Sequence, residues 1–198
     1  MIAVITADII NSTQNQDWQK AIKPSLNQFG KSPIDWSIYR GDSIQVRIEN
    51  PADALTIATR LKASIRQLSK LDIRIAIGIG DETLKTASVT QNMGTAYINS
   101  GRLLEDLPQN LAIKTDWQDL DLGLNAGFNL YNTLCEQWTT GMSQYVHTKL
   151  LYPNASQEEL SKKLNTTQSN VSRVLSRANY NALQQYLNYY HELINSKL

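Results

Sequence analysis

The sequence predicts an α/β sandwich over its first two-thirds and a separate all-helical tail after it. Strand and helix signals alternate as β, α, β-hairpin, α, β, α, β as far as residue 117, and from about residue 125 the pattern is mainly helical. Charge changes along the chain as well. Residues 143–198 hold six Lys/Arg against three Asp/Glu, leaving thirteen against fifteen before them, so a mildly acidic body precedes a mildly basic tail. The expected division is 1–124 for the body and 125–198 for the tail.

IAVITADII (2–10) reads as a central strand, and Asn11-Ser12-Thr13 supply turn and capping chemistry before a helix at 17–29, which Pro24 weakens. SIYRGDSIQVRI holds two runs of β-branched and aromatic residues joined at Gly41-Asp42, a hairpin signal. Asn50-Pro51 opens a helix to about Lys70, with Leu55, Ala58, Leu61, Ile65 and Leu68 on one face. DIRIAIGIG (72–80) is the next strand, where Gly78 and Gly80 permit either close backbone approach or a bulge. A helix at 94–106 and a strand at 111–117 complete the body.

At 198 residues, 41% of them hydrophobic and 19% charged, the chain can bury a proper core and is not of disordered composition. Cys135 is the only cysteine, which excludes an intrachain disulfide, a Cys-based zinc site and a CxxC redox pair. His147 and His191 stand far apart, with no second ligand at metal spacing. Walker A, GxGxxG and GxSxG patterns do not occur. The apolar start lacks a basic leader and is broken by Asp8, and no run is long enough to span a bilayer. A cytoplasmic protein with no membrane partner is expected.

The tail carries the most specific local pattern. Ser156 with Glu159 makes a capping box, and Leu160 and Leu164 give a short helix its apolar face. Asn165-Thr166-Thr167 form a turn that caps a second helix with Val171, Val174 and Leu175 inside. Gln168, Ser169, Asn170, Ser172, Arg173 and Arg177 are left outside. Amide side chains can read adenine edges, Arg can read guanine, and Ser can hold phosphates, so double-stranded DNA is the expected partner. The stretch resembles the helix-turn-helix of bacterial regulators, of the form SQEELAxxLxxSQxxVSRxLxRA. Gln157, Glu158, Leu160, Leu164, Gln168, Val171, Ser172 and Arg173 fall on that pattern. The alternative is a capped antiparallel helix pair that only packs on the body. Because the tail's net charge is modest, a homodimer on two half-sites is expected. YLNYYHELI (186–194) would place Leu187, Tyr190 and Ile194 against the tail or in the dimer interface.

In the body, Asp8 lies near the end of an apolar strand, where an ionised carboxylate needs a partner. Asp42 sits in the hairpin, so the two can converge on one hard cation, typically Mg²⁺ bridging to phosphate oxygens. Four segments resemble the core of class III nucleotide cyclases: ADIINST, RGDSIQVRI, IRIAIGIGDE and GTAYINSGRLLE, in order over residues 1–107. With the helix-turn-helix behind them, the whole arrangement most resembles the SatD family of bacterial proteins. That resemblance implies a cyclase-type, ferredoxin-like α+β sandwich, metal aspartates at Asp8 and Asp42, and a transition-state arginine at Arg102. The cyclase asparagine position is Ile98, with Asn99 one residue displaced, about 100° around the helix. The adenine-reading lysine becomes Ile38, and the base-reading aspartate becomes Gln91.

Gln91, Asn99 and Arg102 are therefore the expected nucleotide contacts of a site altered from that of a working cyclase. The expectation is a DNA-binding regulator whose body takes Mg²⁺ with a nucleotide. The alternative is an active cyclase or related metal-dependent phosphotransfer enzyme. Three plainer readings stand beside these: Asp8 accepting from the amides of Asn11–Thr13 as a helix cap, Asp42 as a turn residue only, and Arg102 paired with Glu105 at i, i+3.

Overall fold

The structure, a computed structural model, describes residues 1–15, 17–107 and 110–198. The alternation read from the sequence folds as one mixed sheet. Its strands are β1 (Ile2–Ile10), β2 (Trp36–Tyr39), β3 (Ser43–Ile48), β4 (Asp72–Gly80) and β5 (Leu111–Lys114), in the order β2-β3-β1-β4-β5. β1 runs antiparallel to both β3 and β4, β2 antiparallel to β3, and β5 parallel to β4. Helices α1 (Trp18–Asn27), α2 (Ala54–Arg66) and α3 (Thr95–Glu105) connect the strands. They are followed by α4 (Gln118–Glu136), α5 (Thr140–Leu151), α6 (Gln157–Lys163), α7 (Gln168–Arg177) and α8 (Tyr180–Asn195).

Strand alternation divides the sheet into two unlike faces. Ala3, Ile5, Ala7 and Ile9, with Ile44, Val46, Ile73, Ile75 and Ile77, are buried in an apolar cluster that also takes in α1 and α2. On the other face Ile2 and Val4 pack with Val89, Ala96 and Tyr97 of the α3 region, and Thr6 donates to Ser100 at 2.9 Å. Gly78 lies under α3, where an added Cβ would collide with the carbonyl of Ala96 and the amide of Ser100. Close approach, rather than a bulge, is the reason for that glycine.

Several boundaries differ from those the sequence suggests. α1 runs through Pro24 and stops at Asn27, and α2 stops at Arg66, ahead of a turn in which Lys70 has φ 67°. β5 ends at Lys114 because Thr115 Oγ1 accepts from the amide of Trp117 and the Thr115 amide donates to Asp121. α4 begins at Gln118, within the stretch assigned to the body. The apolar cluster of α1 and α2 continues through Phe128, Tyr131, Val146, Leu175 and Tyr190 of the tail helices. Two α2 arginines reinforce that junction: Arg60 donates to the carbonyl of Leu150, and Arg66 to those of Glu136 and Trp138. Leu187, Tyr190 and Ile194 are buried against this shared core, with the Tyr190 hydroxyl donating to Pro51 O at 3.3 Å. They pack within the chain. Among the described residues no helix is long and apolar enough to cross a membrane.

Candidate functional site

Asp8 is the fourth residue on the α3-facing side of β1, after Ile2, Val4 and Thr6. The register sets Ser43 of β3 on one side of it and Arg74 of β4 on the other. Ser43 Oγ donates to Asp8 Oδ1 at 2.7 Å, and the Arg74 guanidinium reaches Oδ2 at 3.2 Å. These cross-strand partners take the place of the amides of Asn11–Thr13, so the helix-cap reading of Asp8 is not realised. Asp8 is accommodated because its side chain stays 28% exposed and a cation stands opposite it.

Asp42 belongs to the turn between β2 and β3, where Arg40 has φ 51° and Gly41 φ 90°. Its carbonyl accepts from the Ile9 amide at 3.3 Å, and its carboxylate accepts from Ser12 Oγ at 2.7 Å. Asp42 thus stands in the turn next to Ser43, the strand residue opposite Asp8, and among the described residues the two carboxylates share no side-chain partner. Ser12, Thr13, Arg40 and Asp42 line a cavity of about 430 Å³ at this end of the sheet. Tyr39 lies beside Asp8, and its hydroxyl pKa is raised by burial and by the Asp8 charge. Arg74 and Tyr39 were not found by motif reading. The pairing of alternate strand residues is the signal that identifies them.

The nucleotide contacts expected from the sequence divide between the two ends of the sheet. α3 starts near Gly80, where the Ala96 amide meets Asp81 O, and runs toward the Asp8 end past the Thr6–Ser100 bond. Arg102 follows on that end, exposed, and among the described residues it has no ion pair, so the Glu105 pairing is not formed. Asn99 is anchored at the start of the helix instead, donating to Ile79 O at 3.0 Å and to Asp116 at 3.3 Å. Gln91 is exposed in a short 3-10 turn, Val89–Gln91, that packs on β2 and β3 away from the Asp42 turn. The Ile38 side chain packs on the apolar core and does not face Asp8.

Close to Gln91 lies a polar cluster that sequence reasoning missed. Arg47 of β3 makes two bonds to Glu82 through Nε and another through Nη2 at 2.7 Å, and it also pairs with Glu49. The Tyr97 hydroxyl donates to Glu82 at 2.7 Å, and Asn92 donates to Tyr97 at 2.9 Å. The Arg47 hydrogen bond holds the Glu82 carboxyl below the ordinary glutamate range. Only 6% of the Arg47 side chain and 11% of that of Glu82 are exposed, so this network is closed to a ligand.

In the tail, α6 and α7 are joined by residues 164–167, with Asn165 in the left-handed region at φ 48°. Ser156 and Glu159 form the full capping box of α6, and Thr167 Oγ1 caps α7 by accepting from the Asn170 amide. Val171 and Leu175 are buried; Val174 is half-buried. Gln168, Ser169, Arg173 and Arg177 are exposed, and Ser172 is half-buried. Asn170 departs from the outward placement expected of it. Its amide donates to the Tyr145 hydroxyl of α5 at 2.7 Å and to Thr166 at 3.0 Å, while its oxygen accepts from Arg173. It is half-buried, with its amide held toward α5 and its oxygen toward the exposed Arg173.

No protein-family model matches this chain, and no curated protein matches it.

Proposed function

We propose that the protein is a DNA-binding regulator that reads the major groove with α7, and that its body takes an anionic ligand, a nucleotide with Mg²⁺, at the Asp8–Asp42 end of the sheet. The exposed end of α7 carries this reading. Two amide or hydroxyl side chains and two arginines stand outward on a helix fixed by a threonine cap and buried through Val171 and Leu175, and a four-residue turn joins it to a shorter capped helix. A hairpin that only packed on the body would have no need of that surface. Arg173 and Arg177 suit guanine edges or phosphates, and Gln168 suits adenine.

For the body, the strand order and the antiparallel β1 neighbours support the ferredoxin-like, cyclase-type reading. Mg²⁺ is commonly held by one or two carboxylates together with phosphate oxygens, and Asp8 with Asp42 would supply such a donor set. Each carboxylate keeps acceptor sites beyond the bond to its serine. A cation there would neutralise phosphate charge, with Arg102 and Arg40 at the same end of the sheet as further counter-charges. Ile98, Ile38 and the distant anchoring of Asn99 favour a binding body over a working cyclase.

The test is binding of the purified protein to genomic fragments across a salt series, compared with Arg173→Ala. Loss of a base contact is expected to cost about 1–3 kcal/mol and to relax sequence preference. Unselective binding even at low salt would return α6 and α7 to a packing role.

A further inference from the structure

β2 is an outer strand of the sheet, and its free side is open. Arg47 N donates to Asp35 O at 2.7 Å, and Trp36 lies opposite Val46. In an antiparallel ladder the bonding residues alternate, so Asp35, Ser37 and Tyr39 bond β3 while the N–H and C=O groups of Trp36 and Ile38 point away from it. Beside that edge, between β2 and α1, runs a groove of about 1030 Å³. Lys23 of α1, Lys31 of the following loop and Arg40 of the hairpin turn line it, and among the described residues no Asp or Glu does. Among the described residues none of these three cations has a carboxylate partner.

We propose that this edge binds an extended acidic peptide of a partner protein as an added strand, with Lys23, Lys31 and Arg40 pairing its carboxylates. Main-chain bonds to Trp36 and Ile38 would supply affinity, and the cations would supply selectivity. One common way to guard an edge against pairing is to carry charges on the strand itself. Here Trp36, Ser37, Ile38 and Tyr39 are all uncharged, and the cations stand on flanking elements where they line a trough. A second copy is disfavoured, because β2 against β2 about a two-fold axis would bring like charges together. Single-stranded nucleic acid would need an exposed aromatic platform, whereas Trp36 is only 6% exposed and Tyr39 is half-buried.

The experiment uses the full chain and a fluorescein-labelled octapeptide alternating glutamate with valine, read by anisotropy at low salt. Binding is expected, weakened about tenfold or more by the exposed charge reversals Lys23→Glu, Lys31→Glu and Arg40→Glu together. A peptide N-methylated at alternate residues, which keeps its charges but cannot complete a strand, is expected to lose binding. Ile38→Pro removes one outward N–H at an edge position that tolerates proline, and it should weaken binding while circular dichroism stays unchanged. The proposal fails if no binding occurs, if the N-methylated peptide binds equally well, if charge reversal has no effect, or if an oligothymidylate of equal length binds more tightly. Sedimentation showing a dimer that Ile38→Pro dissolves would assign the edge to a second copy and also overturn it.

Discussion

Two arginine–carboxylate clusters sit on the same face of one sheet, at opposite ends, and they are built to different standards. Around Arg47, Glu82 accepts three guanidinium bonds and a tyrosine hydroxyl, Asn92 bonds that tyrosine, and the group is sealed beneath the loop that carries Asn92. Around Arg74, Asp8 accepts one guanidinium bond and one serine hydroxyl, and both charged side chains remain partly in water. A saturated, water-excluded network fixes structure, because every group in it loses heavily when a partner is removed. A half-satisfied, exposed pair can exchange partners at little cost. The difference leaves the Asp8 end, and not the more elaborate cluster, free to exchange partners, as the proposed ligand would require.

The largest test of this contrast is Arg47→Ala. It leaves Glu82 buried without its cation, and breaking such a pair is expected to cost about 3–5 kcal/mol in urea unfolding. If Arg47→Ala behaved like a surface substitution, the distinction between the two ends would collapse. A sealed histidine gives the next effect. His147 lies among α1, α2 and α5, with Nε2 2.8 Å from Ser25 Oγ and Nδ1 3.2 Å from the Gln67 amide. Burial, helped by the positive charge of Arg60, lowers its pKa from 6.5 to about 4. The unfolded chain therefore binds this proton more readily than the folded one, and stability falls as pH drops from about 6.5 toward 4, by on the order of 2–3 kcal/mol. Urea midpoints across that range should show the slope, and His147→Gln should flatten it. A wild-type midpoint independent of pH there would mean that His147 is not sealed.

Much of this fold was legible because periodicity and turn chemistry are local. The strand at 2–10, the hairpin at Gly41-Asp42 and the caps at Ser156 and Thr167 each depend on residues a few positions apart. What was not legible depends on register. The pairing of Asp8 with Arg74 spans 66 residues, and that of Arg47 with Glu82 spans 35. Motif reading also placed Asn170 outward from its helical position, whereas the Tyr145 hydroxyl arriving from α5 draws it inward. The same limit applies to Asn99 and Gln91, whose sequence positions carry no information about which end of the sheet they reach.

The finest test concerns Arg74 itself. If the Asp8 end is an open site, Arg74 is a resident counter-ion that an incoming cation must displace. Arg74→Ala should then change stability by no more than about 1 kcal/mol, since the pair is partly exposed and Asp8 can turn to water. It should also strengthen Mg²⁺ or Mn²⁺ binding several-fold, because the competing charge is gone and the carboxylate remains. Titration calorimetry with Mn²⁺ on the wild type, Arg74→Ala and Arg74→Ala/Asp8→Asn separates the possibilities. A gain in the single variant that the double variant abolishes assigns the cation to Asp8. A loss of several kcal/mol of stability with no change in cation affinity would place Arg74 in the same class as Arg47, and both ends of the sheet would then be structural.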